Sequence, residues 1–207
     1  IIDVGAHKGE SINFFLKNFN SKKIISFEPS PLNFKYLKKN YLKYKEKFKD
    51  CEIIIENLAA GNENKLIKIN QFIESSSSTF KAIDENSNYY KKKFFFLQKK
   101  IDGNLFYKEN TKMILLSDYI NQNNLKKIDL LKIDTEGYEY EVLLGLKEKI
   151  KNFSLIFFEH HYDNMIKKNY TFRDINTLLL KNGFNNIFKI KMPFRKTFEY
   201  IYVNNPN

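Results

Sequence analysis

IIDVGAHKGESINFFLKNF, residues 1–19, is the stretch on which the reading of the chain turns. Residues 1–4 are a short apolar run ended by a glycine, which predicts a strand. Gly5 and Gly9 bracket a turn, and beyond it Ile12, Phe15, Leu16 and Phe19 share one face of a helix over 10–19. Strand, glycine turn and helix in this order open a parallel βαβ unit. Glycine permits positive φ and lets a ligand approach the backbone, while the helix start offers unpaired N–H groups to an acidic ligand group.

The rhythm repeats outward from this unit. A second strand is expected over 23–27. Ser30 then caps a helix with Pro31 at its first position and Phe34, Leu37, Tyr41 and Leu42 as its stripe. A third strand follows over 51–57. The pattern resumes with a strand over 128–133, a helix over 138–149 and a strand over 155–159. A helix starts at Thr171, where Asp174 makes an imperfect capping box, and ends at Gly183. Residues 184–190 and 198–203 read as a closing antiparallel pair. The expected fold is α/β: a mostly parallel seven-stranded sheet with an antiparallel closing strand and helices on both faces.

Between about 62 and 116 the rhythm breaks. This region reads as an antiparallel insertion beside the third strand, within a single domain over 1–207. Its parts are an exposed strand over 65–72, a serine run over 75–78, a mobile polar loop over 84–93, and strands over 93–101 and 112–116. Tyr89-Tyr90 and Phe94–Phe96 read as a lid or, better, as apolar packing against the sheet. The chain opens inside a strand without a methionine, which reads as the trimmed start of a longer protein.

The 207 residues are 43% hydrophobic and 16% aromatic, enough for a sizeable core, which excludes a disordered chain. No apolar run reaches the ~20 residues of a membrane span. One cysteine, Cys51, excludes an internal disulfide and a Cys-based zinc site, and makes a reducing, cytoplasmic setting the expectation. The net charge of +11 points toward nucleic acid, but only Arg173 and Arg195 among the 35 basic residues are arginine. Bidentate phosphate and base contacts favour arginine, so a nucleic-acid partner is disfavoured.

Ligands of open α/β sheets bind outside the carboxyl ends of the strands. Each such end here carries polar residues: Asp3 to Gly9, Glu28-Pro29, Asn57 to Gly61, Asp134 to Gly137, and Glu159-His160-His161. The pyrophosphate fingerprint Gly-x-Gly-x-x-Gly is absent, and Lys8 does not sit in a P-loop. Asp3 would also repel a phosphate. A ligand with a ribose and an amino-acid end fits better, with Glu28 placed to accept hydrogen bonds from ribose hydroxyls.

These segments resemble the FkbM family of class I S-adenosylmethionine-dependent methyltransferases, which have a Rossmann-like fold. The resemblance rests on DVGAHKGES (3–11), SFEPSPLNFKYLKKN (26–40), NLAAGNEN (57–64), SSSS (75–78), LLSDYI (115–120), IDLLKIDTEGYEYEVLLGL (128–146) and FFEHH (157–161). The most specific part is Lys-Ile-Asp-x-Glu-Gly-x-Glu-x-x-Val-Leu-x-Gly over 132–145. His7 stands where the family more often has Asn. The resemblance implies O-methylation of a hydroxyl on a saccharide or secondary metabolite, with S-adenosylhomocysteine as product. It places the cofactor on Asp3, Gly5, Ala6, His7, Gly9, Glu28, Pro29, Asn57, Leu58, Ala59 and Asp134. Methylation of RNA or protein, or a non-catalytic nucleoside-binding module, are the alternatives.

Methyl transfer needs an aligned acceptor oxygen and a group to take its proton. Asp134 and Glu136 are candidates to position or deprotonate the acceptor, and Glu136 and Glu139 are spaced to share one face of a starting helix. Either imidazole of the His160-His161 pair suits the base role, with His160 preferred. In an extended strand Glu159 and His161 share a side and His160 faces away. Tyr162-Asp163 are candidates for the acceptor side. Asp134, Glu136 and a histidine would make an incomplete divalent-metal set, so a metal is not favoured.

Overall fold

The computed structural model describes residues 1–73, 78–98, 105–193 and 196–204. Its elements in chain order begin with β1 (Ile2–Val4), α1 (Glu10–Asn18), β2 (Lys23–Phe27), α2 (Pro31–Lys47) and β3 (Glu52–Glu56). There follow β4 (Ala59–Gly61), β5 (Lys65–Phe72), β6 (Ala82–Ile83), α3 (Asn88–Gln98) and β7 (Phe106–Leu115). Then come α4 (Leu116–Gln122), β8 (Ile128–Ile133), α5 (Glu139–Gly145), a 3-10 turn (Lys147–Asn152) and β9 (Phe153–His161). The last are β10 (Ile166–Lys167), α6 (Phe172–Lys181), β11 (Phe184–Lys191) and β12 (Thr197–Asn204).

Seven strands form the central sheet in the order β3-β2-β1-β8-β9-β12-β11. The five from β3 to β9 run parallel, and β12 is antiparallel to both β9 and β11. The chain steps outward from β1 to β3, then returns on the other side of β1 at β8. The carboxyl ends of β1 and β8 therefore flank the point where the strand order reverses, the place where such sheets bind ligands.

Alternation along each strand divides the core between two faces. Ile25, Leu131, Ile156, Phe158, Tyr200 and Tyr202 point into the larger cluster, which also takes residues of α4, α5 and α6. Ile24, Ile53 and the half-buried Leu130 point the other way, into the cluster of α1 and α2. Helices thus cover both faces. Ser30 caps α2 by accepting the Asn33 N–H at 3.1 Å, and Thr171 with Asp174 completes the capping box of α6. No helix among the described residues is long and apolar enough to cross a membrane.

The region after β3 departs from expectation in three ways. First, its strands do not pair with β3: they form a separate sheet in the order β4-β7-β5, with β4 parallel and β5 antiparallel to β7. Second, the expected strand over 93–101 is helical as far as it is described. Ser87 starts α3, its hydroxyl accepting the Tyr90 N–H at 3.2 Å, and Tyr90, Phe94 and Leu97 turn inward at helical spacing. A run of three phenylalanines has no period of its own, so only its flanks decide between strand and helix. Third, the polar loop is correspondingly shorter, because α3 already begins at Asn88. The serine run lies outside the described residues except for Ser78. The helix expected over 138–149 also breaks, at Lys147, which has φ +50° and opens the 3-10 turn.

Two glycines are demanded by close approach. A Cβ on Gly5, which has φ +90°, would lie 1.9 Å from the Asp134 carbonyl oxygen, because the chain leaving β1 crosses directly over the end of β8. A Cβ on Gly145 would lie 1.8 Å from the Gly61 carbonyl oxygen, so α5 rests on bare β4 backbone.

Candidate functional site

The turn after β1 folds back on β2. The N–H groups of Gly5 and Ala6 both donate to the Phe27 carbonyl, at 2.9 and 3.0 Å, and His7 takes φ +50°. Its N–H then points at Glu28, whose Oε2 accepts it at 2.7 Å while Oε1 accepts the Ser30 N–H at 2.9 Å. Glu28 is buried, and burial pushes its carboxyl up to about 7 against the pull of those backbone donors. Asn57 donates to the Glu28 carbonyl at 2.8 Å and so fastens the loop after β3 to the loop after β2.

These loops enclose a cleft of about 570 Å³, mouth included. Gly5, His7, Glu28 and Pro29 form one side, and Leu58, Ala59, Ile69 and Phe80 give an apolar wall opposite. Asp134, Thr135 and Glu136 close the end toward β8. Its few polar groups set among apolar walls are the chemical make-up of a small-molecule site. Ile69, Ser78 and Phe80 arrive from the insertion. Nothing in their spacing announces this, since it depends on how the separate sheet folds back.

Asp134 to Tyr138 form a strained turn, with Glu136 at φ +51° followed by Gly137 at φ +95°. Such backbone in a non-glycine residue persists only where the surroundings hold it. Here Glu139 does so: its Oε1 accepts from the N–H of Gly137 at 2.9 Å and the hydroxyl of Thr135 at 3.0 Å, and its Oε2 from Tyr170 at 2.5 Å. Thr79 of the insertion adds a 2.6 Å hydrogen bond to the Glu136 carbonyl. Glu136 and Glu139 therefore do not share a helix face. Glu136 lies before α5 in left-handed backbone, so the helical spacing does not apply to it, and Glu139 turns back to brace the loop.

β9 extends through His161, and its alternation separates the two histidines. His161 Nε2 lies 3.2 Å from Glu136 and 3.2 Å from Glu159, with Nδ1 3.6 Å from Asp163. Burial works against its charge, but Asp163, Glu159 and Glu136 outweigh it and push the imidazole up to about 11. Burial also pushes Glu136 up to about 8, against the attraction of His161 and reinforced by Asp134 and Glu159. At neutral pH His161 is a cation and cannot take a proton; the Glu136 carboxyl titrates in the useful range.

His160 lies on the other face of the strand, apart from these groups. It is buried between Tyr162, Tyr170 and Phe172, with ring centroids 4.8–6.0 Å away, and burial lowers its pKa to about 4. The preference for His160 is thus corrected by strand geometry: it is a core residue of the aromatic cluster. His160→Phe is expected to leave steady-state turnover within about twofold, because a volume-conserving core exchange removes no group from the cleft.

Other expected residues support the cleft from behind. Asp3 is wholly buried, accepting from Ser11 at 2.8 Å and paired with Lys132 at 3.3 Å. Lys132 also meets Asp134 at 3.5 Å; burial opposes its charge, but the two aspartates outweigh it and raise its pKa. Gly9 seats α1 on α2, where a Cβ would press on Leu37 and Tyr44 at 3.0 and 3.2 Å. Ala6 faces a second, larger hollow of about 1750 Å³ that shares Gly5, His7, Asp134 and Glu136 with the cleft. It runs down the α1 face over Leu130, Leu155, Phe157 and Ile201, with Glu159 and Glu199 on its lining. Among the described residues, no group of three or more His, Cys, Asp or Glu side chains is arranged to hold a metal ion.

Known proteins resemble this chain in family pattern, in sequence and in fold. Residues 3–185 match the methyltransferase FkbM domain. "Methyltransferase 1" of Beauveria bassiana is 24% identical over 160 residues, covering 72% of this chain and 59% of that protein. "Methyltransferase sdnD" of Sordaria araneosa is 25% identical over 162 residues, covering 72% of this chain and 61% of its own length. The chain thus spans about 60% of the length of these curated relatives. Among solved structures, the FkbM methyltransferase of Methylobacillus flagellatus KT superposes with a TM-score of 0.64 at 13% identity, covering 98% of this chain and 42% of its own. M. capricolum TrmK, solved with S-adenosylhomocysteine, superposes with a TM-score of 0.53 at 10% identity, covering 99% of this chain and 61% of its own. Identities this low speak to the fold.

Proposed function

Because the chain belongs to the FkbM methyltransferase family, we propose that it methylates a hydroxyl group of a saccharide or secondary metabolite, using S-adenosylmethionine. The observation that carries this reading is the pairing, in one cleft, of a buried ribose-type carboxylate, Glu28, with a proton-accepting carboxylate, Glu136, at the strand-order reversal. The residues present suit this cofactor. Glu28 lines the cleft where ribose hydroxyls would meet its carboxylate, and Leu58, Ala59, Ile69 and Phe80 suit a flat base. When bound, S-adenosylmethionine supplies an electrophilic methyl group on a sulfonium.

The protein's own contributions follow from the geometry. Gly5 lets the β1 turn lie against β8, and Glu28 fixes one end of the ligand. The strained turn at Glu136 holds its carboxylate toward the acceptor side, where it takes the hydroxyl proton. His161, held as a cation, keeps Glu136 oriented and stabilises its ionised form. The acceptor occupies the adjoining hollow, whose apolar floor suits a carbon-rich body. The carboxylates of Asp134, Glu159 and Glu199 along it disfavour a polyanion such as RNA.

Glu28→Gln is expected to weaken S-adenosylmethionine binding roughly 10- to 150-fold, the cost of about 1.5–3 kcal/mol for charge-assisted hydrogen bonds, read by calorimetry. Affinity should also fall as pH drops through about 7, where the Glu28 carboxyl takes up a proton. Incubation with a labelled methyl donor and a panel of hydroxyl acceptors, with mass spectrometry of the product, tests the reaction. Tight NADH binding with no response to S-adenosylmethionine would overturn it.

A further inference from the structure

The outer side of α3 has no counterpart in the cleft. Its inner stripe, Tyr90, Phe94 and Leu97, packs with Phe72, Leu105, Met165 and Ile166. Its outer stripe carries Lys91 and Lys92, one turn before Phe95 and Phe96, with Tyr89 beside them. Phe95 and Phe96 are 65% and 73% exposed. Residues 88–98 contain no Asp or Glu, so the charge carried by the helix itself is positive; Glu85, before its start, lies against Tyr90. A single exposed phenylalanine is ordinary, but two adjacent ones with a tyrosine and two lysines on one helix surface are not explained by the core.

From this arrangement we infer that the outer face of α3 is a docking surface for an anionic lipid bilayer. A basic helix with aromatic side chains on its exposed surface settles in the headgroup region, its rings reaching the acyl boundary and its lysines meeting lipid phosphates. Two phenylalanines alone bind weakly, so apolar insertion and charge act together, as lipid anchors with two signals do. The inference stands apart from the proposed chemistry, because α3 contributes no residue to the cleft lining.

The test is co-sedimentation of this chain with phosphatidylcholine vesicles, alone or containing roughly 30% phosphatidylglycerol. Binding is expected to the anionic vesicles only, and to fall about tenfold when salt is raised to about 0.5 M. Phe95→Ser with Phe96→Ser should lower partitioning about 100-fold, and Lys91→Gln with Lys92→Gln about tenfold. These side chains are outward, so unchanged circular dichroism should accompany the loss. Leu66→Ser, at an equally exposed apolar residue of β5, should change nothing. Equal binding to neutral vesicles, absence of vesicle binding, or an equal loss with Leu66→Ser would overturn the assignment. So would poly(U) binding, or a concentration-dependent dimer, that the Phe95→Ser variant abolishes.

Discussion

Glu136→Gln is expected to reduce kcat by about 10²- to 10⁴-fold, the usual contribution of a positioned general base, while S-adenosylmethionine affinity changes little. Glutamine keeps the size of the side chain beside His161, so a loss confined to kcat would isolate proton transfer. The pH profile gives a second, independent readout. Burial raises Glu136 from the usual carboxylate range to about 8, so its basic form is the minor one at neutrality. The rate should climb about tenfold per pH unit below that value and level off above it. In Glu136→Gln this rising limb should vanish. A variant that kept both full turnover and the limb would move the base role to Asp134 or Glu159.

Gly5→Ala is expected to destabilise the fold by about 3 kcal/mol, a Tm fall of about 6–12 °C for a chain of this size, followed by thermal denaturation. Two costs combine. Alanine resists φ +90°, and its Cβ would meet a backbone carbonyl 1.9 Å away that no rotamer change can move. Gly183→Ala separates them. Its φ is +86°, but the nearest atom to an added Cβ is 3.5 Å away, so only the conformational cost of about 1 kcal/mol applies. Equal losses for the two variants would show that the crossing of β1 and β8 is not what requires glycine at position 5.

The strands and helices that build the central sheet were legible because each carries its own period. Ile24 and Ile25 alternate between two cores, and Ile12, Phe15 and Leu16 repeat at helical spacing, so local pattern and burial agree. The position of Glu28 was legible for a similar reason: it follows a strand at the carboxyl edge of the sheet, where the structure places it in the cleft lining. The insertion was read less well. Phe94 to Phe96 satisfy strand and helix alike, and Ser87 gives the only start signal. The walls contributed by Ile69 and Phe80 depend on long-range packing that no local spacing encodes. The two histidines show the boundary between these cases. Alternation along β9 predicted that they part company, but which side faces the cleft is set by where Glu136 lies, and that follows from left-handed backbone before α5.

The hold of Thr79 on the Glu136 carbonyl, and the ion pair of Lys81 with Glu141, join the insertion to the loop before α5 at two points. For anyone recombining relatives of this chain, that clasp divides the insertion into a fixed part and an exchangeable one. Residues 78–81 must travel together with the segment from Thr135 to Glu141, as a matched cassette. The stretch around α3 lines neither hollow, but its Lys93 draws the Glu136 carboxyl downward, so a module that replaces it must keep a cation at that point or the proton acceptor is retuned.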